Sequence, residues 1–182
     1  VVGALRVVLV QQSTFFINSL CHCVGNQPYS TRCSARDSWI MALVTYGEGY
    51  HNYHHEFQHD YRNGVKPWNF DPTKWTIMLL HKLGLVSNLR RVPTSKIIAA
   101  EMREAQRKAE VRLAELAAQD GTLCEHAVAK VNELIEKLKE NINEFETSFS
   151  ESLESSRETL KRWRRETRAL MSGLGELRLR SA

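Results

Sequence analysis

Apolar positions run almost unbroken at the start of the chain and become periodic toward its end. Residues 1–25 (VVGALRVVLVQQSTFFINSLCHCVG) are mostly apolar, and about 20 such residues suffice to span a bilayer. Arg6, Gln11, Gln12, Asn18 and His22 interrupt the run. Polar groups in such a segment face a bundle interior or a site rather than lipid. The stretch therefore reads either as a partial transmembrane or interfacial helix or as a buried helix of a soluble protein. A polar loop over 26–37 follows. Next comes a short apolar helix over 38–46, with Asp37 or Ser38 as its N-cap. Asn63-Gly64, Lys66-Pro67 and Asp71-Pro72 punctuate an aromatic-rich loop. A second short apolar helix covers 74–86, and Arg90-Arg91-Val92-Pro93 closes this half.

From Thr94 the pattern becomes helical and charged. Thr94 or Ser95 caps a helix to about residue 119, where Asp120-Gly121 breaks it. Thr122 with Glu125 three residues on forms a capping box for another helix. Within that helix Val131, Ile135, Leu138, Ile142, Phe145 and Phe149 alternate at spacings of four and three, a heptad seam. Ser152, Ser156 and Thr159 occupy the next seam positions, so the register lapses before Trp163 and Leu170. The prediction is an all-α chain. Residues 1–93 form a partial transmembrane or interfacial helical domain, and residues 94–182 form a charged helical hairpin or coiled-coil extension able to self-associate.

Charge divides the chain at the same place. Residues 1–96 hold 10 basic and 5 acidic side chains, and the remaining 86 hold 15 and 16. The formal charge of +4 over 182 residues is thus carried by the first half. Basic residues beside apolar helices fit a cytoplasmic membrane surface. No nucleic-acid partner is expected. The chain opens on Val1-Val2, and its apolar run lacks the basic flank and cleavage site of a signal peptide, so the sequence is expected to begin inside a longer protein. Cys21, Cys23, Cys33 and Cys124 show no C-x-x-C spacing and read as reduced thiols. Adjacent residues on a helix diverge by about 100°, which excludes zinc at Cys21-His22-Cys23.

Three of the seven histidines fall within Tyr50-His51-Asn52-Tyr53-His54-His55. On a helix His55 lies about 40° to one side of His51 and His54 about 60° to the other. All three can therefore face one cavity. Neutral imidazoles suit iron or zinc. His22 is a fourth candidate, with Asn18 one turn earlier and able to reach a metal through water. Glu48 is three residues before His51, the Glu-x-x-His spacing of ferritin-like sites. Such a site also needs two further helix carboxylates, and the first half holds only five acidic residues, which leaves Glu48 as an acceptor that orients a ligand imidazole.

Asn18-Ser19-Leu20-Cys21-His22 and Gly47-Glu48-Gly49-Tyr50-His51-Asn52-Tyr53-His54-His55 resemble the last two metal-binding motifs of the membrane acyl-CoA fatty acid desaturases of the stearoyl-CoA, delta-9 type. The second is similar to that family's third histidine box, H-x-x-H-H. Thr14-Phe15-Phe16-Ile17, Gln27-Pro28-Tyr29, residues 57–64, residues 68–75 and Leu83-Gly84-Leu85 extend the likeness, which covers about residues 1–93. The resemblance implies an integral-membrane di-iron oxidoreductase with its site on the cytoplasmic side. Such an enzyme uses O2 and two electrons to place a cis double bond in an acyl-CoA. It implies His22, His51, His54 and His55 as iron ligands, Asn18 as a ligand through water, and Thr14 and Phe15 along the acyl tunnel. Membrane lipid and an electron donor (ferredoxin, cytochrome b5 or similar) are the implied partners.

The family carries two earlier histidine boxes, and no histidine precedes His22 here. Four histidines fall short of the ligand shell of two irons. The expectation is a C-terminal fragment that is inactive by itself, with His59, His81 and His126 outside the ligand set. Two other readings stand beside it. One is a related membrane di-iron hydroxylase. The other is an interaction protein with a histidine metal site and an oligomerising tail.

Overall fold

A computed structural model describes residues 1–119, 125–148, 158–163, 165–167 and 169. The chain divides into two compact units, Val1–Thr94 and Ser95–Ala182. Among the described residues every regular element is helical, and the only β pairing is a pair of isolated antiparallel bridges that meet at Asp37.

In the first unit α1 covers Val2–Asn18 and buries none of its residues. It ends at Ser19, whose hydroxyl donates back to the Phe15 carbonyl at 2.8 Å. His22 then lies in a separate 3₁₀ turn, Leu20–His22. The expected one-turn alignment of Asn18 with His22 on a continuous helix does not form, and Asn18 is exposed. No helix among the described residues is long and apolar enough to cross a membrane. The expected span over residues 1–25 is thus the 17-residue α1 followed by the turn.

α2, Trp39–Val44, is capped by Ser38, whose hydroxyl accepts from the Met41 amide. Its last carbonyl, Val44, accepts from the Ser13 hydroxyl of α1 at 2.6 Å. Such terminal carbonyls have no partner inside a helix, so the bond ties α1 to α2. The 47–49 turn then passes against α2 so closely that a Cβ at Gly49 would sit 2.0 Å from the Ala42 nitrogen. Only glycine permits that approach.

α3, His51–Glu56, is six residues long, and Tyr50 at its start supplies no side-chain cap. A helix so short is not self-stabilising. Asp37, fourteen residues upstream of α3, does the capping: its Oδ1 accepts from the Asn52 amide at 2.7 Å and the Tyr53 amide at 3.0 Å. α4, Pro72–Lys82, begins with Asp71 as N-cap and Pro72 at the first position, the arrangement that best suits a helix start. Asp71 also accepts from the Asn63 and Gly64 amides, each at 2.9 Å. The buried Lys74 Nζ donates to the Gly64 and Lys66 carbonyls at 2.8 and 3.0 Å. Together they fold the 63–69 loop onto α4.

The second unit holds α5, Thr94–Gln119, and α6, Glu125–Ser148, with a further helical stretch over 158–163. Ile135, Leu138, Ile142 and Phe145 of the seam are buried in one cluster with Met102 and Ala109 of α5 and with Trp163. Burial of apolar surface at about 25 cal/mol per Å² is what holds such a unit together. The seam is covered by its own chain, which leaves the coiled-coil expectation without support. The capping box at Thr122, Phe149, the seam positions 152 and 156, and Leu170 lie outside the described residues.

Candidate metal centre

His51 and His55 lie one helical turn apart on α3, and His22 reaches them from the 3₁₀ turn. The Nε2 of His51 stands 3.2 Å from Nε2 of His22 and 3.1 Å from Nε2 of His55. One ring nitrogen from each of the three lies within 4.8 Å of the others, a grouping able to hold a metal ion. The rings meet edge to face, with centroids 4.9 Å apart for His22–His51 and 4.5 Å for His51–His55.

Hydrogen bonding alone does not satisfy this arrangement. A neutral imidazole has one N–H and one lone pair. If His51 Nε2 accepts, a single lone pair faces two neighbours, and the Nδ1 proton has nowhere to go. His51 Nδ1 is buried without a hydrogen-bond partner. Three lone pairs on a shared cation resolve the crowding at Nε2. The donor set fits a transition metal. Burial, then the neighbouring His55, His22 and His54, push the His51 pKa down to about 4. Burial, then His54 and His22, lower that of His55. Both effects favour the neutral form that a ligand needs.

His54 stands apart from this group. It stacks on His51 with centroids 6.0 Å apart and lies 6.0 Å from His55. Glu48 makes no hydrogen bond to these rings. Thr14 bonds within α1 to the Val10 carbonyl at 3.0 Å, and Phe15 is exposed. His59 is exposed, and His81 Nδ1 lies 2.8 Å from the Val86 carbonyl. The His126 side chain lies outside the described residues.

The supports of the centre were not evident from residue types. His22 Nδ1 lies 2.9 Å from Ser34 Oγ. Asn52, fully buried, accepts at Oδ1 from the Tyr29 and Ser30 amides at 2.9 and 3.3 Å. Its Nδ2 donates to the Ser30 and Ala35 carbonyls at 2.6 and 3.0 Å. Tyr53, behind the histidines, donates its hydroxyl to Asp60 at 2.7 Å. Asp60 in turn pairs with Arg62 at 2.6 Å and accepts from the Val92 amide at 2.9 Å. Burial pushes the Asp60 carboxyl up, but the donors from Arg62, Val92 and Tyr53 outweigh it and hold it below its ordinary value. Asn52 sits inside the histidine motif, where it passes for a spacer.

Imidazoles from separate elements of a helical unit thus converge on one point, a grouping able to hold a metal ion. No family model matches the chain. Individual relatives do. Acyl-CoA desaturase 1 of Saccharomyces cerevisiae is 48 % identical over 106 residues, 58 % of this chain and 21 % of the relative. A probable acyl-CoA desaturase of Schizosaccharomyces pombe is 45 % identical over 105 residues, 58 % of this chain and 22 % of the relative. Stearoyl-CoA desaturase 5 of Bos taurus is 37 % identical over 99 residues, 54 % of this chain and 30 % of the relative. The chain spans between a fifth and a third of the length of the curated relatives it matches.

Proposed function

We propose that this chain is the C-terminal portion of a membrane acyl-CoA desaturase of the delta-9 type, with a di-iron centre on the cytoplasmic side. The observation that carries the reading is the convergence of His22, His51 and His55 within a sequence similar to acyl-CoA desaturases over more than half its length. His22, His51 and His55 hold one iron. His54, on the other side of His51, faces the second, and Asn18 contributes through water. Bound iron supplies the O2-dependent oxidising power needed to break an unactivated C–H bond, which no side chain possesses. The chain's own residues supply neutral nitrogen ligands, a pocket that keeps His51 unprotonated, and apolar walls. Thr14 and Phe15 belong to those walls beside the acyl chain. Acyl-CoA is the substrate, and ferredoxin, cytochrome b5 or a similar carrier brings the electrons. Four histidines are part of a two-iron ligand set, so the 182 residues do not turn over acyl-CoA by themselves.

The test is a chimera in which residues 1–93 replace the matching stretch of the Saccharomyces cerevisiae acyl-CoA desaturase 1. Its acyl products are read by mass spectrometry. The chimera should form cis monounsaturated chains, and His51→Ala should abolish them. A stably expressed chimera that makes no alkene, or that makes an alcohol instead, would overturn the reading. The isolated chain should neither take up two irons per molecule nor yield product.

A further inference from the structure

We infer that Ser34 is a positioning residue that fixes the tautomer and ring orientation of His22. The inference rests on the reading of His22 as a metal ligand. If Nε2 of His22 faces the ion, Nδ1 must carry the proton, and that proton needs an acceptor. Ser34 Oγ, 2.9 Å from Nδ1, is in place to accept it. A ring whose far nitrogen is anchored this way keeps its lone pair aimed at the metal and gains basicity.

The hydroxyl is held in place from both sides. The carbonyl of Cys33, just before it, accepts from Gln27 Nε2 at 2.5 Å. The carbonyl of Ala35, just after it, accepts from Asn52 Nδ2 at 3.0 Å. One residue further, the Arg36 amide donates to the Cys21 carbonyl at 2.8 Å, which pins the loop to the turn that carries His22. Asn52 lies on α3 next to His51, so its side chain ties the loop to α3 as the Arg36 amide ties it to the turn. The loop is therefore a brace between the 3₁₀ turn and α3, and Ser34 is where it touches a ligand ring.

The experiment uses the full chain with ¹⁵N-labelled histidine in detergent micelles, first metal-free and then titrated with Zn2+. Nitrogen shifts report the tautomer, and calorimetry reports affinity. Wild type should show His22 with its proton on Nδ1. Ser34→Ala should mix the two tautomers and weaken Zn2+ binding about tenfold, the lower end of the effect of losing such a partner, because Ser34 is exposed. Ser34→Thr should restore both. Exposure at this position lets alanine fit without refolding the loop. Ser34→Ala with an unchanged tautomer and Zn2+ affinity within twofold of wild type would overturn the assignment. A His51→Ala control separates this from the parent reading. If wild type and His51→Ala bind Zn2+ equally, the metal reading fails, and the metal-free tautomer alone then decides the role of Ser34.

Discussion

Replacing Asn52 by alanine tests whether one buried amide holds the metal centre together. The side chain is fully buried and makes four hydrogen bonds, all to the backbone of residues 29–35. Each is worth about 1 kcal/mol net, and more where the abandoned partner stays buried. Water can reach the Tyr29 amide, since that residue is half-buried, but Ser30 and Ala35 are buried. The expected loss is about 3–5 kcal/mol. For a unit of this size 1 kcal/mol moves Tm by about 4–8 °C, so the first unit should melt at least about 12 °C lower. Hydrogen exchange locates the damage: the Tyr29 and Ser30 amides should lose protection, while those of α6 should keep theirs. Asn52→Asp retains the acceptor but loses both donations and sets a charge near Asp37, so it should not rescue. The reasoning is refuted if Asn52→Ala melts within about 3 °C of wild type, under 1 kcal/mol, with the two amides still protected.

Other perturbations follow from the same contacts. Asp60 is held below its ordinary value, so its contribution is complete above about pH 4, the unfolded carboxylate range. That contribution disappears as pH falls through the lower folded value. Acid unfolding followed by circular dichroism should therefore steepen below pH 4 in wild type and flatten in Asp60→Asn. A parallel pair of curves would refute this. Arg62→Met leaves the Asp60 carboxylate buried and short of its cation and should cost about 3–5 kcal/mol in thermal denaturation. Lys74→Met removes the donor to the Gly64 and Lys66 carbonyls, and proteinase K should then cut within residues 64–69 at least several-fold faster. Gly49→Ala drives a methyl into the Ala42 nitrogen and should unravel the junction of α2 and α3. A Zn2+ titration of this variant should show weakened binding although no ligand has changed.

Where local chemistry decides the structure, the sequence reveals it. α5 begins at Thr94, one of the two residues expected to cap it, which lies inside the helix, while the expected breaker Asp120-Gly121 lies outside the described residues. At α4 the same dipeptide that reads as turn punctuation starts a helix. Asp71-Pro72 is an N-cap and first-position pair, and Gly84, at φ 74, ends the helix earlier than the apolar pattern suggests. The histidines were legible as a group but not as a geometry. On α3 His55 and His54 flank His51 on opposite sides, and a ring arriving from elsewhere meets only one flank. His22 arrives on the side of His55, in a turn braced by the 27–36 loop, which is itself tied to α3 by Asn52. Asp37 shows the same limit: local rules offer it to the helix that follows it, whereas its carboxylate caps α3.

The interior of the first unit explains why its supports escape pattern reading. His51, Asn52, Asp60, Arg62, Asp71 and Lys74 are buried there, while Leu5, Val8, Phe15, Trp39, Leu43, Trp68 and Leu79 are exposed. Apolar periodicity marks a core only when water is outside. Here the buried set mixes Cys21, Ala35, Met41, Ala42, Tyr50 and Tyr53 with polar side chains, and the polar ones close through directed bonds, which depend on partners that no residue-type count supplies. The second unit follows the ordinary rule, with apolar seam residues inside and paired charges such as Lys137–Glu133 outside. An apolar exterior is costly in water, since about 25 cal/mol is forfeited per Å² left exposed. It costs nothing against lipid or against further polypeptide. The exposed apolar side chains of the first unit are therefore the feature on which its proposed place in a membrane enzyme can be tested, by their labelling from lipid in the assembled protein.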